Sequence, residues 1–184
     1  SGWGFIDEDL FTRYIQRTAS LVSADSPRDL RLVLTSMHGV GADVCEAVLA
    51  QAGFSEVFPV APQREPDPDF PTIPFPNPEE AGALDMAMAL ACEKHADLIV
   101  ANDPDADRCA AAIPDPDAPG GWRQLSGDET GVLLGYYQCQ GRRGSSATVA
   151  RSLVSGELLD RVAAAAGVTP MVSLTGFKWI ARTP

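Results

Sequence analysis

Residues 101–110 read ANDPDADRCA: Asp103, Asp105 and Asp107 stand at alternate positions, Arg108 directly follows, and the apolar run Leu98-Ile99-Val100 comes just before. Carboxylates drawn that close repel one another unless positive charge sits among them. A divalent cation answers the need. Magnesium takes hard oxygen ligands in near-octahedral geometry and commonly combines a few carboxylates with a substrate phosphate oxygen. Three alternate aspartates in a tight loop supply one oxygen each, which makes Asp103, Asp105 and Asp107 the candidate ligands of Mg2+.

Other readings of the same residues are open. A calcium EF-hand loop also begins D-x-D-x-D, but counted from Asp103 its sixth position needs Gly and its twelfth Glu, where this chain has Arg108 and Pro114, so that reading fails. A phosphohydrolase of the haloacid dehalogenase kind places D-x-D after a buried strand with the first Asp, here Asp103, as nucleophile. That motif expects Thr or Val where Asp107 stands. A non-catalytic divalent-cation-binding domain and a solvated acidic turn complete the alternatives.

The elements around the loop say what must position it. RLVLTS (31–36) predicts a strand, MHGVGA a glycine turn, and DVCEAVLAQAGF a helix stopped by Gly53. VFPVA predicts a second strand, and the proline-dense PQREPDPDFPTIPFPNP an irregular loop, because each Pro removes a backbone donor. In NPEEAGALDMAMALACEKHA, Asn77 at the cap, Pro78 at the first helical position and Glu79 and Glu80 at the positive end of the dipole predict a helix with Leu84, Met88, Ala91 and His95 on one stripe. DLIVAND is a third strand whose unbroken apolar run suits a sheet covered on both faces. The aspartates follow its C-terminal end, where open parallel α/β sheets bind ligands.

CAAAIPDPDAPGGWRQL then predicts two short strands around a turn. The pattern restarts at Gly127: helix (GDETGVLLGYYQC), strand (ATVARSLV), helix (SGELLDRVAAAAG, with Leu158, Val162 and Ala165 on its stripe and Gly167 to stop it) and strand (VTPMVSL) running into TGFKWI. The fold class is therefore α/β, in three-layer α/β/α units with a mixed, mostly parallel sheet, one nearly complete (1–125) and one partial (126–184).

With 184 residues, of which 45% are hydrophobic, the chain can bury a proper core. A net charge of −11 without a basic run speaks against nucleic acid and anionic membrane as partners. No apolar stretch reaches the roughly 18 residues of a spanning helix, and SGWGFIDEDLF lacks the basic start and apolar centre of a signal peptide, so a soluble, cytoplasmic protein is expected. Cys45, Cys92, Cys109 and Cys139 are widely spaced and only two histidines are present, so neither a zinc site nor a disulfide framework is indicated. His38, with no partner in sequence, is expected to be structural.

ANDPDADR, with HGVG upstream, FPNPEE before the long helix, SGDETGVLLG after the hairpin and TGFKWI near the end, resembles the α-D-phosphohexomutase superfamily, in particular its phosphoglucomutase/phosphopentomutase and actinobacterial phosphomannomutase-like branch. Five motifs in order along the chain carry the resemblance. It implies a magnesium-dependent enzyme of four domains that moves a phosphoryl group between the C1 oxygen and the terminal hydroxyl of an aldose phosphate, through a sugar bisphosphate and a phosphoserine. On this reading Asp103, Asp105 and Asp107 hold the metal with a phosphoserine oxygen as fourth ligand, and Arg108 contacts the reacting phosphate or the sugar. An ion pair between Arg108 and the neighbouring acids is the alternative.

The resemblance also makes TGFKWI the third-domain sugar loop, with Thr175 and Gly176 in contact with substrate and Lys178 reaching toward it. The plainer alternative has Phe177 and Trp179 as core or interface and Lys178 as solvated surface. Nothing here resembles the T-A-S-H-N-P loop of the phosphorylated serine; the serines of RTASLVSADSPRD fall in an expected helix and turn. The specificity loop that follows TGFKWI in the family, and its C-terminal phosphate-binding domain, would lie beyond Pro184. The expectation is a second domain and part of a third, inactive without the remaining domains of the parent chain.

Overall fold

The structure is a computed structural model and describes residues 4, 7–140 and 146–182. The chain divides into two units, Ser1–Gln124 and Leu125–Pro184. The first contains helix α1 (Glu8–Ala19), strand β1 (Arg31–Thr35), α2 (Ala42–Gln51), β2 (Glu56–Pro59), α3 (Asp85–Lys94), β3 (Leu98–Asn102), β4 (Cys109–Pro114) and β5 (Trp122–Gln124). Its five strands form a mixed sheet in the order β2-β1-β3-β4-β5. β1 pairs in parallel with β2 and β3, whereas β3–β4 and β4–β5 are antiparallel.

This order follows from the connections. From β1 the chain crosses through α2 to β2 on one side, then returns past β1 through α3 to β3 on the other. Right-handed crossovers in opposite directions put α2 and α3 on opposite faces of the sheet. β1 is accordingly buried from Leu32 through Thr35, on both faces. On the α3 side, Ala87 and Ala91 pack with Leu84 against Val33, Ile99, Ala101, Ala110 and Ala112, closed off by Trp122 and Ile73.

α3 starts later than the sequence predicts. Its first residue is Asp85, after Leu84 at the cap, and residues 77–84 form successive turns, with Glu80 N–H donating to Asn77 C=O (3.0 Å), Ala83 to Glu80 (3.1 Å) and Asp85 to Gly82 (3.2 Å). Gly82 sits at φ +81°, which a right-handed helix cannot pass through. The predicted stripe holds at Leu84, Met88 and Ala91, while His95 is the exposed left-handed cap (φ +49°).

The second unit comprises α4 (Gly127–Gln140), β6 (Thr148–Ser152), α5 (Leu158–Ala165), β7 (Thr169–Ser173) and α6 (Phe177–Ile180), with β6 and β7 paired in parallel. Ser126 and Glu129 cap α4 reciprocally: Ser126 N–H donates to Glu129 Oε2 (2.8 Å) and Glu129 N–H to Ser126 Oγ (3.2 Å). The buried stripe of α5 lies one residue beyond the predicted one. Ala163 is buried and Ala166 packs beside it with Cys139 and Val168, leaving Leu158 outward. Leu159 is turned toward α4, so close to Gly135 that a Cβ there would stand 2.3 Å from Leu159 Cδ1. All four cysteines are free thiols, Cys139 buried and Cys92 and Cys109 exposed. Among the described residues no helix is long and apolar enough to cross a membrane.

One ion pair anchors the second unit. Arg151, at the end of β6, meets Asp160 of α5 through two hydrogen bonds (2.9 and 2.8 Å) and donates to the carbonyls of Ser152 (3.2 Å) and Ser155 (3.0 Å). The hydrogen bonds from Arg151, aided by its charge, hold the Asp160 carboxyl below its ordinary value against the opposing effect of burial. A carboxylate depressed in the folded state stabilises the fold above its unfolded value, about 3.9, and that contribution is lost as pH falls through the folded value. Asp160→Asn should therefore lower the thermal midpoint of this unit at pH 7, and the gap to wild type should close as pH falls below about 4. A gap that is constant across this range, followed by circular dichroism, would show that the pair does not couple to folding.

Candidate metal centre

β1 and β3 lie side by side, but the chain leaves β1 toward β2 and leaves β3 toward β4, so the loops after these strands part in opposite directions. Such a switch point opens a crevice at the carboxyl ends of the strands. The HGVG turn follows β1 and the aspartate loop follows β3, so both motifs meet there.

The aspartate loop is a compact turn. Ala106 N–H donates to Asp103 C=O (3.0 Å), Asp103 N–H to Arg108 C=O (3.4 Å), and Ala106 takes φ +57°. Turning this tightly gathers the alternate side chains, and one carboxylate oxygen from each of Asp103, Asp105 and Asp107 lies within 4.8 Å of the others. Asp103 is buried (1% exposed), whereas Asp105 and Asp107 are exposed.

Arg108 secures the buried charge. Its backbone N–H donates to Asp103 Oδ1 (3.0 Å), and its Nε (2.8 Å) and Nη2 (2.8 Å) grip Oδ2. Its Nη1 donates to Asn77 Oδ1 (3.2 Å), and its Nε lies 3.6 Å from Asp107. The guanidinium thus pairs with the neighbouring acids, while its side chain stays 56% exposed. Burial pushes the Asp103 carboxyl up, but the Arg108 amide, a hydrogen bond with Asp105 and the guanidinium together hold it below its ordinary value. Asp105 moves the other way, raised first by its hydrogen bond with Asp103, then by burial and the charges of Asp107 and Asp103.

The donor set fits a hard divalent cation. Every candidate ligand is a carboxylate oxygen, and three acids share a single guanidinium, so the cluster retains excess negative charge.

The turn after β1 shapes this loop. A Cβ on Gly39 would stand 2.3 Å from Pro104 Cα and O, and one on Gly41 2.9 Å from Ala106 Cβ, so only glycine lets the two loops approach. Val40 N–H donates to Pro104 C=O across the contact (2.9 Å). To deliver Gly39 there, the chain bends through Met37 (φ +51°) and His38 (φ +60°), left-handed conformations that cost roughly 1–2 kcal/mol each for residues with a Cβ. His38 is buried and bonds Thr72 Oγ1 through Nε2 (2.8 Å), the structural part expected of it.

In the second unit, Thr175 and Gly176 line a cavity of about 320 Å³ at the carboxyl ends of β6 and β7, together with Asp128, Arg151, Ser152 and Ser155. Gly176 takes φ +116° at the start of α6. Lys178 does not line that cavity; its Nζ lies 5.6 Å over the Trp179 ring. Phe177 is 85% exposed and Trp179 44%, so neither belongs to the core of this unit.

The sequence brought the three aspartates and Arg108 together correctly as neighbours but left out their supports. Asn77, read as a helix cap, holds Arg108. Gln63, Thr35 and Thr72 stand behind His38, although nothing in an irregular proline-rich stretch marks Gln63 or Thr72. The paired glycines of HGVG were the one available signal, as bare surfaces facing another loop.

Residues 10–120 match the family described as phosphoglucomutase/phosphomannomutase, alpha/beta/alpha domain II, and residues 126–183 match its alpha/beta/alpha domain III. A probable phosphomannomutase of Haemophilus influenzae is 45% identical over 96% of this chain and 36% of its own length. The chain therefore spans about a third of the length of that curated relative. Among solved structures, a phosphoglucomutase/phosphomannomutase family protein of Burkholderia thailandensis aligns with TM-score 0.74 at 20% identity, over 91% of this chain and 33% of its own. An Aspergillus fumigatus N-acetylphosphoglucosamine mutase, solved with GlcNAc-6P and magnesium, aligns with TM-score 0.55 at 16% identity, over 90% and 32%. With both of its units matched in order by consecutive domains of one family, the chain belongs to the phosphoglucomutase/phosphomannomutase family.

Proposed function

We propose that this chain forms the second domain (1–125) and the first part of the third (126–184) of a phosphosugar mutase, which transfers a phosphoryl group between C1 and the terminal hydroxyl of a hexose or pentose phosphate through a bisphosphate. The observation that carries the proposal is the convergence of Asp103, Asp105 and Asp107, with their oxygens within 4.8 Å of one another at the switch point of the sheet. The family membership and the magnesium in the Aspergillus enzyme support the same reading.

In this proposal Asp103, Asp105 and Asp107 hold Mg2+, with a phosphoserine of another domain as further ligand. The cation supplies neutralisation of the charge that builds on oxygen as a phosphoryl group departs. Arg108 has two tasks. It keeps Asp103 ionised, and the exposed side of its planar fork faces outward to bind a phosphoryl oxygen. Thr175 and Gly176 contact the sugar phosphate at the cavity of the second unit, where the left-handed glycine permits close approach, and Lys178, which lies outside that cavity over Trp179, turns toward the substrate to supply a cation.

The alternative of a phosphohydrolase with Asp103 as nucleophile meets an obstacle. The position where the haloacid dehalogenase motif expects Thr or Val holds Asp107, and both units match domains of a mutase family. The chain should accordingly show no turnover of a generic phosphate ester; hydrolysis that disappears in Asp103→Asn would overturn the mutase reading.

Calorimetric titration of Mg2+ should give weak, saturable heats with the wild-type chain and a loss of most of that signal in Asp105→Asn, a substitution at an exposed position. Indistinguishable titrations would remove the metal assignment.

In the full-length enzyme, Lys178→Met should lower kcat/KM on glucose 1-phosphate or ribose 1-phosphate by one to several orders of magnitude. Removing a positioned donor from a charged transition state costs about 3 kcal/mol. The thermal midpoint should stay put, because an exposed charge change is worth within about 0.5 kcal/mol of stability. Unchanged kinetics on both substrates would leave TGFKWI as a packing motif.

A further inference from the structure

Behind the metal loop a chain of hydrogen bonds leaves the backbone and comes back to it. Met37 N–H donates to Thr35 Oγ1 (3.1 Å), and the Thr35 hydroxyl donates to Gln63 Oε1 (2.6 Å). Gln63 Nε2 donates to Thr72 Oγ1 (3.0 Å), and Thr72 Oγ1 lies 2.8 Å from His38 Nε2. The backbone closes the circuit, since His38 N–H donates to Gln63 C=O (2.9 Å). The ring thus begins on Met37 and ends on His38, the two consecutive residues of this turn bent into left-handed conformation.

Gln63 is 1% exposed, so its amide must find partners inside the protein. The ring could run in either direction, depending on which end of that amide is nitrogen. Met86 favours one direction: its Sδ lies 3.6 Å from the same Gln63 atom that meets Thr72, and a thioether accepts but does not donate, which suits the amide nitrogen there. Thr72 Oγ1 therefore accepts a hydrogen bond from Gln63 and has its own single hydrogen to donate. With His38 Nε2 as its acceptor at 2.8 Å, that hydroxyl calls for the imidazole tautomer with the proton on Nδ1.

We propose that Gln63 and Thr72 are positioning residues for the metal centre: their one-way ring fixes His38 as the Nδ1–H tautomer and clamps Met37 and His38 in the bend that sets Gly39 and Val40 against Pro104 of the aspartate loop. This rests on the metal assignment above. The path from ring to ligands is short: Gln63 to His38, His38 to Gly39, Gly39 and Val40 to Pro104, which lies between Asp103 and Asp105. Neither Gln63 nor Thr72 touches a ligand, so both act through the shape of the turn.

Two measurements test it. The first uses the wild-type chain at about pH 8 and reads the imidazole nitrogens by long-range 1H–15N correlation, with His95→Gln assigning the two histidines. The ring requires a protonated Nδ1 and an unprotonated, hydrogen-bonded Nε2 on His38; an Nε2–H tautomer overturns it. The second compares Mg2+ binding by wild type, Thr72→Val, Thr72→Ser and Gln63→Leu. Thr72 lies at the surface, so its valine variant keeps the fold even if Gln63→Leu does not.

Supports of this kind are worth about ten- to a hundredfold in metal affinity. Thr72→Val should weaken Mg2+ by that factor while the fold, followed by circular dichroism, is retained, and Thr72→Ser, which restores the hydroxyl, should bind as wild type does. Wild-type binding that Thr72→Val matches overturns the positioning role and leaves the metal assignment standing. Absence of binding by wild type itself overturns both.

Discussion

A buried carboxylate needs a partner, and in the first unit that requirement falls on Asp103. It is desolvated beside two further acids at the mouth of the sheet, where an unpaired charge would be untenable. Arg108 resolves this locally, five residues on, by closing the loop with its own amide and laying its guanidinium along the same carboxylate. The loop geometry is a consequence. Because Asp103 and Arg108 must meet, the residues between them are folded into a turn that projects Asp105 and Asp107 to the same side. One ion pair thereby orders a cluster that retains surplus negative charge.

The remainder of the unit supplies a place for that turn and a wall behind it. Parallel pairing of β1 with β3 brings two strand-end loops together, and the bare faces of Gly39 and Gly41 let them touch. Asn77 reaches Arg108 from the turns that precede α3, so the proline-rich segment contributes to the centre as well as spanning the gap between elements. The second unit repeats the logic with other residues. Arg151 and Asp160 pin the turn after β6, and Asp128 Oδ1 accepts from Gly156 N–H (2.9 Å), which shapes the cavity that Thr175 and Gly176 line.

Much of this was legible in the sequence because it is local. Apolar runs ending in glycine turns marked β1 and α2, the unbroken run Leu98-Ile99-Val100 marked β3, and the alternation of aspartates is itself the cluster. What the sequence hid was tertiary. Asn77-Pro78-Glu79-Glu80 has every feature of a helix start, yet the Asn77 side chain serves Arg108 and the helix begins after Gly82. On α5, Leu158 and Leu159 are equally apolar, and only the gap opposite Gly135 selects Leu159 for the inward face. Gln63 is an unremarkable polar residue in a proline-rich stretch; its burial depends on partners 28 and 9 residues away.

The central claim is that Asp103, Asp105 and Asp107 hold one divalent cation, and anomalous diffraction from crystals of the chain soaked in Mn2+ addresses it most directly. Manganese shares magnesium's preference for carboxylate oxygen and scatters anomalously. The account predicts a single anomalous peak in the loop, about 2 Å from one oxygen of each aspartate, with Arg108 still on Asp103. A peak elsewhere in the chain, or none at a concentration that saturates binding, would contradict it.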